Sequence, residues 1–278
     1  MTNFPAWIKP RKRPILNDVL SSNPDKPLYH YTDQTGLLGI TKDREIRATH
    51  TQYLNDRREF LHAVDLVNEE ITRLLNEGQD SSPHPPDQSA REGTLLKMRR
   101  ALTLSPQTIN VCVCSFSEKR DSLSQWRAYG GPSGFAIGFS GQMLKAVTER
   151  QNWFLVPCIY DLPTQRNLVR ALVEEVLEEN LGGPLVEGKE EDALFKAIGG
   201  NLPTYLNVYA PILKHESFQE ESEWRIISRP IVTQRLDYRE GRSLIVPYFK
   251  LPLCNVNQEL ALHEIVIGPT PDAQRSKS

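Results

Sequence analysis

The stretch INVCVCSFS, from Ile109 to Ser117, predicts a central strand of a β-sheet. Successive side chains of a strand project to opposite faces of the sheet. The stretch therefore divides into one face with Val111, Val113 and Ser115 and another face with Cys112, Cys114 and Phe116. Both faces are largely apolar, which is typical of a strand that is covered on both sides.

The four cysteines lie in apolar runs and lack the CxxC spacing of metal sites; they are Cys112, Cys114, Cys158 and Cys254. This usage favours a reducing compartment with buried thiols, and we expect no metal. A thiol nucleophile is conceivable on the strand face that Cys112 and Cys114 share, although free cysteines more commonly pack as small hydrophobic residues. Neither a signal peptide nor a membrane helix of roughly 20 apolar residues is recognisable, so we expect a cytoplasmic protein without a membrane partner.

The chain has 278 residues, enough to bury a sizeable core without disulfides or metal. Its 33 basic and 35 acidic residues give a net charge of -2, which argues against a general affinity for nucleic acid. We expect a basic N-terminal arm over residues 1–27, a single domain over 28–270 and a flexible tail over 271–278. Within the domain, the Pro- and Ser-rich stretch 78–93, which contains His84, predicts a mobile loop.

Strand and helix patterns are grouped along the chain rather than strictly alternating. LYHYT and EIRATH predict two early strands, and most of the last third of the chain is extended in pattern. Helical periodicity is strongest from Phe60 to Leu74, in a helix for which Asn55 or Asp56 supplies the cap. This grouping predicts an α+β fold with a mixed or antiparallel central sheet and packed helices.

The stretch HESFQEESEWRII, from His215 to Ile227, turns from a helix end into a strand. Period-two alternation places Glu221, Glu223 and Arg225 on one face, opposite an apolar face. Two interpretations stay open. The charged face forms a rigid polar site, or it is a solvent-facing strand edge whose Glu and Arg discourage edge pairing. We expect the Glu223 carboxylate at the surface, where replacement by glutamine costs little stability.

Two further pairs of residues are candidates for a ligand site. His30 and Thr32 lie two apart in LYHYT and so project to the same side of a strand. Trp126 and Tyr129 lie three apart on one face of a short predicted helix and are placed to form a wall for a flat ring. Core packing is the commoner fate for Trp126, whereas Tyr129 lies near a glycine turn and is the better candidate for a cleft.

Six motifs occur in the order LYHYTD, LND followed by Glu59, VCSFSE, WRAYGG with GFAIGF, ESEWR and EIVIGP. This series resembles the bacterial family catalogued as domain of unknown function 2971, over nearly the whole chain from about Leu28 to Pro269. Some members are similar to abortive-infection proteins of the AbiGi kind. The resemblance therefore implies a bacterial protein that acts in anti-phage defence.

A second resemblance concerns chemistry. YHYT, the short helix after it, EIRATH and the glutamate of ESEWR are similar to the His, Tyr, Glu arrangement of ADP-ribosyltransferases, especially the DNA-modifying toxins with His-x-Thr on the first strand. That resemblance implies NAD as a substrate, with His30 and Thr32 gripping the nicotinamide ribose and carboxamide, and Glu223 hydrogen-bonding the ribose. The sequence departs from the pattern in one respect. Spacing does not identify the aromatic residue that would stack on nicotinamide, because Tyr53 and Tyr129 both qualify.

The chemistry suits these residue types. Cleavage of the nicotinamide bond develops an oxocarbenium-like centre, which a fixed carboxylate stabilises. Glu221 would activate an acceptor, and Arg225 shares the face of the two glutamates as a candidate NAD-binding residue.

Three functions from different classes follow from these observations. The first is an NAD-consuming ADP-ribosyltransferase or NAD glycohydrolase that acts as a toxin or defence effector. The second is a non-catalytic sensor that binds a nucleotide in the same cleft, and the third is an interaction protein whose charged strand face docks a partner. The acceptor, whether protein, nucleic acid or small molecule, and the oligomeric state are not defined by the sequence.

Overall fold

The computed structural model describes residues 12–54, 57–79, 86–104, 111–181, 202–203, 205–241 and 243–270. The α-helices with named bounds are α1 (Pro14–Leu20), α2 (Gln34–Asp43), α3 (Arg57–Gln79), α4 (Pro86–Leu104), α5 (Leu123–Gln125), α6 (Gly141–Arg150) and α7 (Leu162–Leu181). The strands are β1 (Leu28–Thr32), β2 (Glu45–His50), β3 (Cys112–Ser117), β4 (Phe135–Phe139), β5 (Phe154–Pro157), β6 (Glu223–Ile227), β7 (Asp237–Glu240), β8 (Ile245–Pro252) and β9 (Leu262–Ile267). Short 3₁₀ helices include Thr51–Tyr53 and Glu216–Glu221.

In the described part of the chain, nine strands form one sheet whose strand pairs are all antiparallel. Helices cover both of its faces, so the predicted α+β fold with an antiparallel central sheet is confirmed. The strand predicted from INVCVCSFS is β3, and β6 and β5 continue the sheet from one of its edges.

The other edge of β3 is shared by two strands. Near its C-terminal end, Ser117 pairs with Tyr29 of β1. Four residues earlier, Val113 pairs with Thr49 of β2. Because β6 occupies the opposite edge along residues 113–117, β1 and β2 lie one after the other along the same edge. The sheet thus divides into a first arm, β1-β4-β9, and a second arm, β2-β8-β7.

The two faces of β3 belong to different cores, as its alternation predicts. Val111 and Val113 pack into a core built largely from α1, α3, α4 and α7. Cys112, Cys114 and Phe116 pack into a second core on the other face, together with residues of α2 and α6. On the first face, the apolar pattern ends after Val113, since the next two residues of that face are Ser115 and Ser117. This change from valine to serine marks where the core ends and the polar site begins.

Three segments differ from the sequence expectation. Part of the expected basic arm is α1, whose Leu16 and Leu20 are buried, while Arg13 pairs with Glu178 of α7 at 2.7 Å. The expected loop 78–93 is helical from Pro86 onward, because α4 carries apolar residues into the first core. His84, Asn55 and Asp56 lie outside the described residues.

Candidate functional site

A cleft of about 540 Å³ is lined by residues of both arms, of β3 and β6, and of α2. This volume is within the range of pockets that bind small molecules and cofactors. All seven site residues proposed from the sequence line it: His30, Thr32, Tyr53, Tyr129, Glu221, Glu223 and Arg225. The fold therefore brings residues that are far apart in sequence to the walls of one cleft.

Glu223 is held by two buried cations. Arg225 donates from Nε to Oε1 at 2.7 Å and from Nη2 to Oε2 at 3.1 Å. Lys214 donates from Nζ to Oε2 at 2.6 Å. The side chains of Lys214, Glu223 and Arg225 are only 3%, 7% and 5% exposed. An ionised carboxylate and two cations are thus kept in a fixed arrangement away from bulk water.

The interpretation of this segment as a solvent-facing strand edge is wrong. All five residues of β6 are buried, and the strand is paired with β3 on one edge and with β5 on the other. The expectation that Glu223 lies at the surface is wrong for the same reason. Its partners across the sheet are polar, since Ser117 is opposite Glu223 and Ser115 is opposite Arg225.

Glu221 joins the same cluster from outside the strand. It ends the 3₁₀ helix Glu216–Glu221, and Ser222 then adopts a left-handed backbone with φ 44° and ψ 52° before β6 begins. Period-two alternation therefore does not extend to Glu221, contrary to the sequence prediction. Lys214 nevertheless links the two carboxylates, because its Nζ lies 2.5 Å from Oε2 of Glu221. The hydroxyl of Ser117 donates to the Glu221 carbonyl at 2.7 Å and holds this turn against β3.

The two glutamates differ in acidity. Burial raises the pKa of Glu223, but the charges and hydrogen bonds of Arg225 and Lys214 outweigh this effect and lower the pKa to about 2. Burial also raises the pKa of Glu221, and the single hydrogen bond from Lys214 does not reverse that rise. The site thus holds one carboxyl that stays ionised and a second whose proton is more easily regained. Such a divergence is typical of acid and base partners in active sites.

His30 is oriented by the backbone of β3. Its Nδ1 lies 3.0 Å from the carbonyl oxygen of Ser115, which fixes the proton on Nδ1 and leaves Nε2 with an acceptor lone pair. Burial lowers the pKa of His30, so the neutral imidazole is the form favoured at neutral pH. Thr32 lies against the start of α2, where a Cβ on Gly36 would come 1.9 Å from Oγ1 of Thr32. A larger residue at position 36 would therefore displace the Thr32 hydroxyl from its present position.

The two candidate tyrosines lie on different elements of the cleft wall. Tyr53 is 40% exposed at the end of the 3₁₀ helix after β2, and its ring packs edge-on against His50. Tyr129 is 50% exposed, whereas Trp126 is buried and packs on Tyr31. Residues 126–130 form a π-helical turn, in which residues three apart no longer share a face. Trp126 therefore belongs to the core, which confirms the commoner fate expected for it, and the alternative of an aromatic wall shared with Tyr129 is not formed.

Sequence reasoning missed Lys214, the residue that joins the two glutamates. One signal was present, because this lysine directly follows the apolar run YAPIL and a lysine in such a run requires an anionic partner when it is buried. Spacing along the chain does not identify that partner, because the segment between Lys214 and Glu223 is neither a regular strand nor an α-helix. Arg47, Thr49 and Arg239 of the second arm also line the cleft and were missed.

All four cysteines lie within the described residues and none is in a disulfide. Cys112, Cys114 and Cys158 are buried as predicted, whereas Cys254 is only half-buried. Burial raises the pKa of Cys112 to about 12, which disfavours the reactive thiolate. Among the described residues, no cluster of three or more His, Cys, Asp or Glu is placed to hold a metal ion. The described helices include none with the length and apolar character needed to cross a membrane.

The family model described as protein of unknown function (DUF2971) matches residues 125–226, a span that contains Tyr129, Lys214, Glu221, Glu223 and Arg225. This match confirms the resemblance to the domain of unknown function 2971 family. No curated protein and no solved structure gives a match. The resemblances to ADP-ribosyltransferases and to abortive-infection proteins stay predictions.

Proposed function

With residues 125–226 matched to the DUF2971 family, we propose that the chain is an NAD-consuming enzyme that transfers ADP-ribose to an acceptor or to water. The observation that carries the proposal is that Lys214 binds the carboxylates of both Glu221 and Glu223. The pKa of Glu223 is lowered and that of Glu221 is raised, and the cleft that holds them is also lined by His30 and Thr32. A role as a toxin or defence effector, with a protein or nucleic acid as acceptor, belongs to this proposal.

Glu223 supplies the fixed negative charge in this mechanism. When the bond between ribose and nicotinamide lengthens, positive charge develops on the ribose ring, and nicotinamide leaves as a neutral group. A carboxylate that is already oriented stabilises this charge without reorganising at the moment of reaction. The low pKa of Glu223, near 2, keeps it ionised throughout the neutral range.

Glu221 is the candidate general base. Its side chain is 22% exposed, against 7% for Glu223, so it is the more accessible of the two carboxylates. Its raised pKa suits a group that takes a proton from an attacking hydroxyl, amine or water. His30 would accept a hydrogen bond from the substrate through Nε2, because Nδ1 is engaged by the Ser115 carbonyl.

One observation favours a second candidate function, a non-catalytic sensor that binds a nucleotide. Arg225 and Lys214 together occupy at least three of the roughly four acceptor positions of the Glu223 carboxylate. A carboxylate that is engaged to this degree has little capacity left for a ribose hydroxyl. A site of this kind binds a ligand while providing less help to bond cleavage.

The test is incubation of the purified protein with NAD labelled in the adenylate part, with nicotinamide release and transfer of label followed separately. We expect nicotinamide release by the wild type. We expect Glu221→Gln to retain nicotinamide release, with water taking up the ADP-ribosyl group to give free ADP-ribose, but to lose transfer of label to an acceptor. Glu220→Gln, at an exposed position on the same 3₁₀ helix, is expected to behave as wild type. Binding of NAD without release supports the sensor, and the absence of both binding and release overturns the proposed function.

A further inference from the structure

The second arm of the sheet carries cations on the side that lines the cleft. Arg47 of β2, Arg239 of β7 and Lys250 of β8 all line it. Directly paired residues of antiparallel strands project to the same face, and Arg47 is paired with Lys250. Arg239 reaches the same face, because its Nη2 lies 3.4 Å from Oγ1 of Thr49, two residues along β2 from Arg47. The two guanidinium groups therefore approach one region of the cleft.

Lys250 already has an anionic partner, whereas the two arginines are available. Nζ of Lys250 lies 3.0 Å from Oδ2 of Asp237, its neighbour across β7 and β8. Arg47 packs over the ring of Tyr248, with 5.1 Å from the guanidinium carbon to the ring centroid. Within the described residues, neither Arg47 nor Arg239 forms an ion pair with a carboxylate. Both thus keep most of their hydrogen-bond donors for a ligand.

The position of Arg47 is not explained by protection of a sheet edge. Exposed charges commonly block the pairing of edge strands, and β7 is an edge strand of the described sheet. β2, however, is an interior strand, paired with β3 on one side and β8 on the other. An arginine without a carboxylate partner on an interior strand, facing a cleft, indicates an anionic ligand.

We propose that Arg47, Arg239 and the hydroxyl of Thr49 form a subsite for the phosphate groups of a nucleotide. A guanidinium presents parallel N–H donors in a planar fork that matches the oxygens of a phosphate, and a diphosphate offers acceptors to two such forks. The Thr49 hydroxyl supplies one further donor beside Arg239. The choice of a nucleotide rests on the proposed function, while the affinity for phosphate rests on these side chains alone.

The subsite also orients the ligand in the cleft. Tyr53 ends the 3₁₀ helix that follows β2, and its partly exposed ring lies on the same arm. The carboxylates of Glu221 and Glu223 lie on the other side of β3, since β6 and β2 are paired with opposite edges of that strand. The phosphates would therefore bind over the second arm, and the group to be cleaved would lie beside β6.

Calorimetric titration of ADP and of adenosine tests this subsite, because the two probes differ only in the diphosphate. We expect the wild type to bind ADP about tenfold or more tightly than adenosine, as charge-assisted hydrogen bonds to two guanidiniums would give. In the double variant Arg47→Gln, Arg239→Gln we expect the ratio of the two dissociation constants, adenosine over ADP, to fall toward one. The affinity for adenosine itself is expected to stay unchanged. Arg235→Gln, an exposed residue outside the cleft, is the matched control and keeps the wild-type ratio.

The outcomes separate the subsite from the proposed function. Wild-type protein that does not prefer ADP over adenosine, or a double variant that keeps the preference, overturns the subsite. Loss of the preference in the double variant, together with no consumption of NAD by the wild type, supports the subsite and contradicts the enzyme. Consumption of NAD with the same KM in both proteins supports the enzyme and overturns the subsite. If the double variant has a lowered Tm, the single variant Arg47→Gln, at an exposed position, carries the same comparison.

Discussion

Nζ of Lys214 lies 2.6 Å from Oε2 of Glu223, and the two side chains are 3% and 7% exposed. Arg225 completes the cluster from the other side of the same carboxylate. A buried charge that loses its partner cannot regain its hydration shell, so each member of the cluster depends on the others. The same arrangement therefore governs both the stability of the fold and the charge of the candidate site.

Replacement of Glu223 by glutamine is expected to lower the free energy of unfolding by about 3 kcal/mol, because Lys214 and Arg225 are left buried without an anion. Urea denaturation followed by circular dichroism measures the change. Glu220→Gln is the control, since Glu220 is exposed and its replacement is expected to change the free energy by less than about 0.5 kcal/mol. A Glu223→Gln protein as stable as this control would show that the cluster contributes little to folding.

Lys214→Met is expected to be destabilised to a similar degree, because it leaves two carboxylates with only Arg225. The double variant Lys214→Met, Glu223→Gln should be less destabilised than the sum of the two single variants, with a coupling energy of about 1 to 3 kcal/mol. The four proteins of this cycle are compared by the same urea denaturation. Additive effects would contradict a direct interaction between the two side chains.

The contribution of Glu223 to stability depends on pH in a defined direction. Its pKa is about 2 in the folded chain and about 4.5 at its usual value. A lowered pKa gives a stabilisation that is complete above pH 4.5 and is lost as the pH falls toward 2. The difference in unfolding free energy between wild type and Glu223→Gln should therefore shrink when the urea titration is repeated at successively lower pH.

Glu221 should show the opposite slope, because its pKa is raised by burial. The unfolded chain then releases the proton more readily, so the contribution of Glu221 to stability falls as the pH rises above about 4.5. The wild type and Glu221→Gln, compared over the same pH series, test this sign. Parallel profiles for Glu221→Gln and Glu223→Gln would show that the two carboxyls do not differ in acidity.

His30→Ala is expected to reduce the rise in Tm that NAD causes more strongly than it reduces the Tm without ligand. Binding to the native state alone raises the midpoint according to ligand concentration over its dissociation constant. Loss of the bond to the Ser115 carbonyl costs about 1 kcal/mol with or without NAD. His263→Ala, at an exposed position on β9, serves as the control. A full NAD-dependent rise in His30→Ala would assign the histidine a structural role only.

The elements of the fold were largely predictable because they depend on local patterns. The alternation of valines and cysteines in INVCVCSFS identified β3, and the bounds of EIRATH agree with those of β2. Helix α3 was evident from its apolar periodicity. Local patterns failed where tertiary contacts override them, as in α4, which begins within the Pro- and Ser-rich stretch 78–93 and is yet helical.

The sequence by itself determined which residue types the site would contain, because His30, Thr32, Glu223 and Arg225 occur in short motifs with a strand period. Only the tertiary structure decided how they are arranged. The choice of Lys214 as partner of Glu223, the branching of two arms from one edge of β3, and the meeting of Arg47 with Arg239 all depend on pairings between distant strands and loops. Spacing along a chain fixes the direction of a side chain within one element, whereas the burial and charge that set its chemistry come from elements far away in sequence.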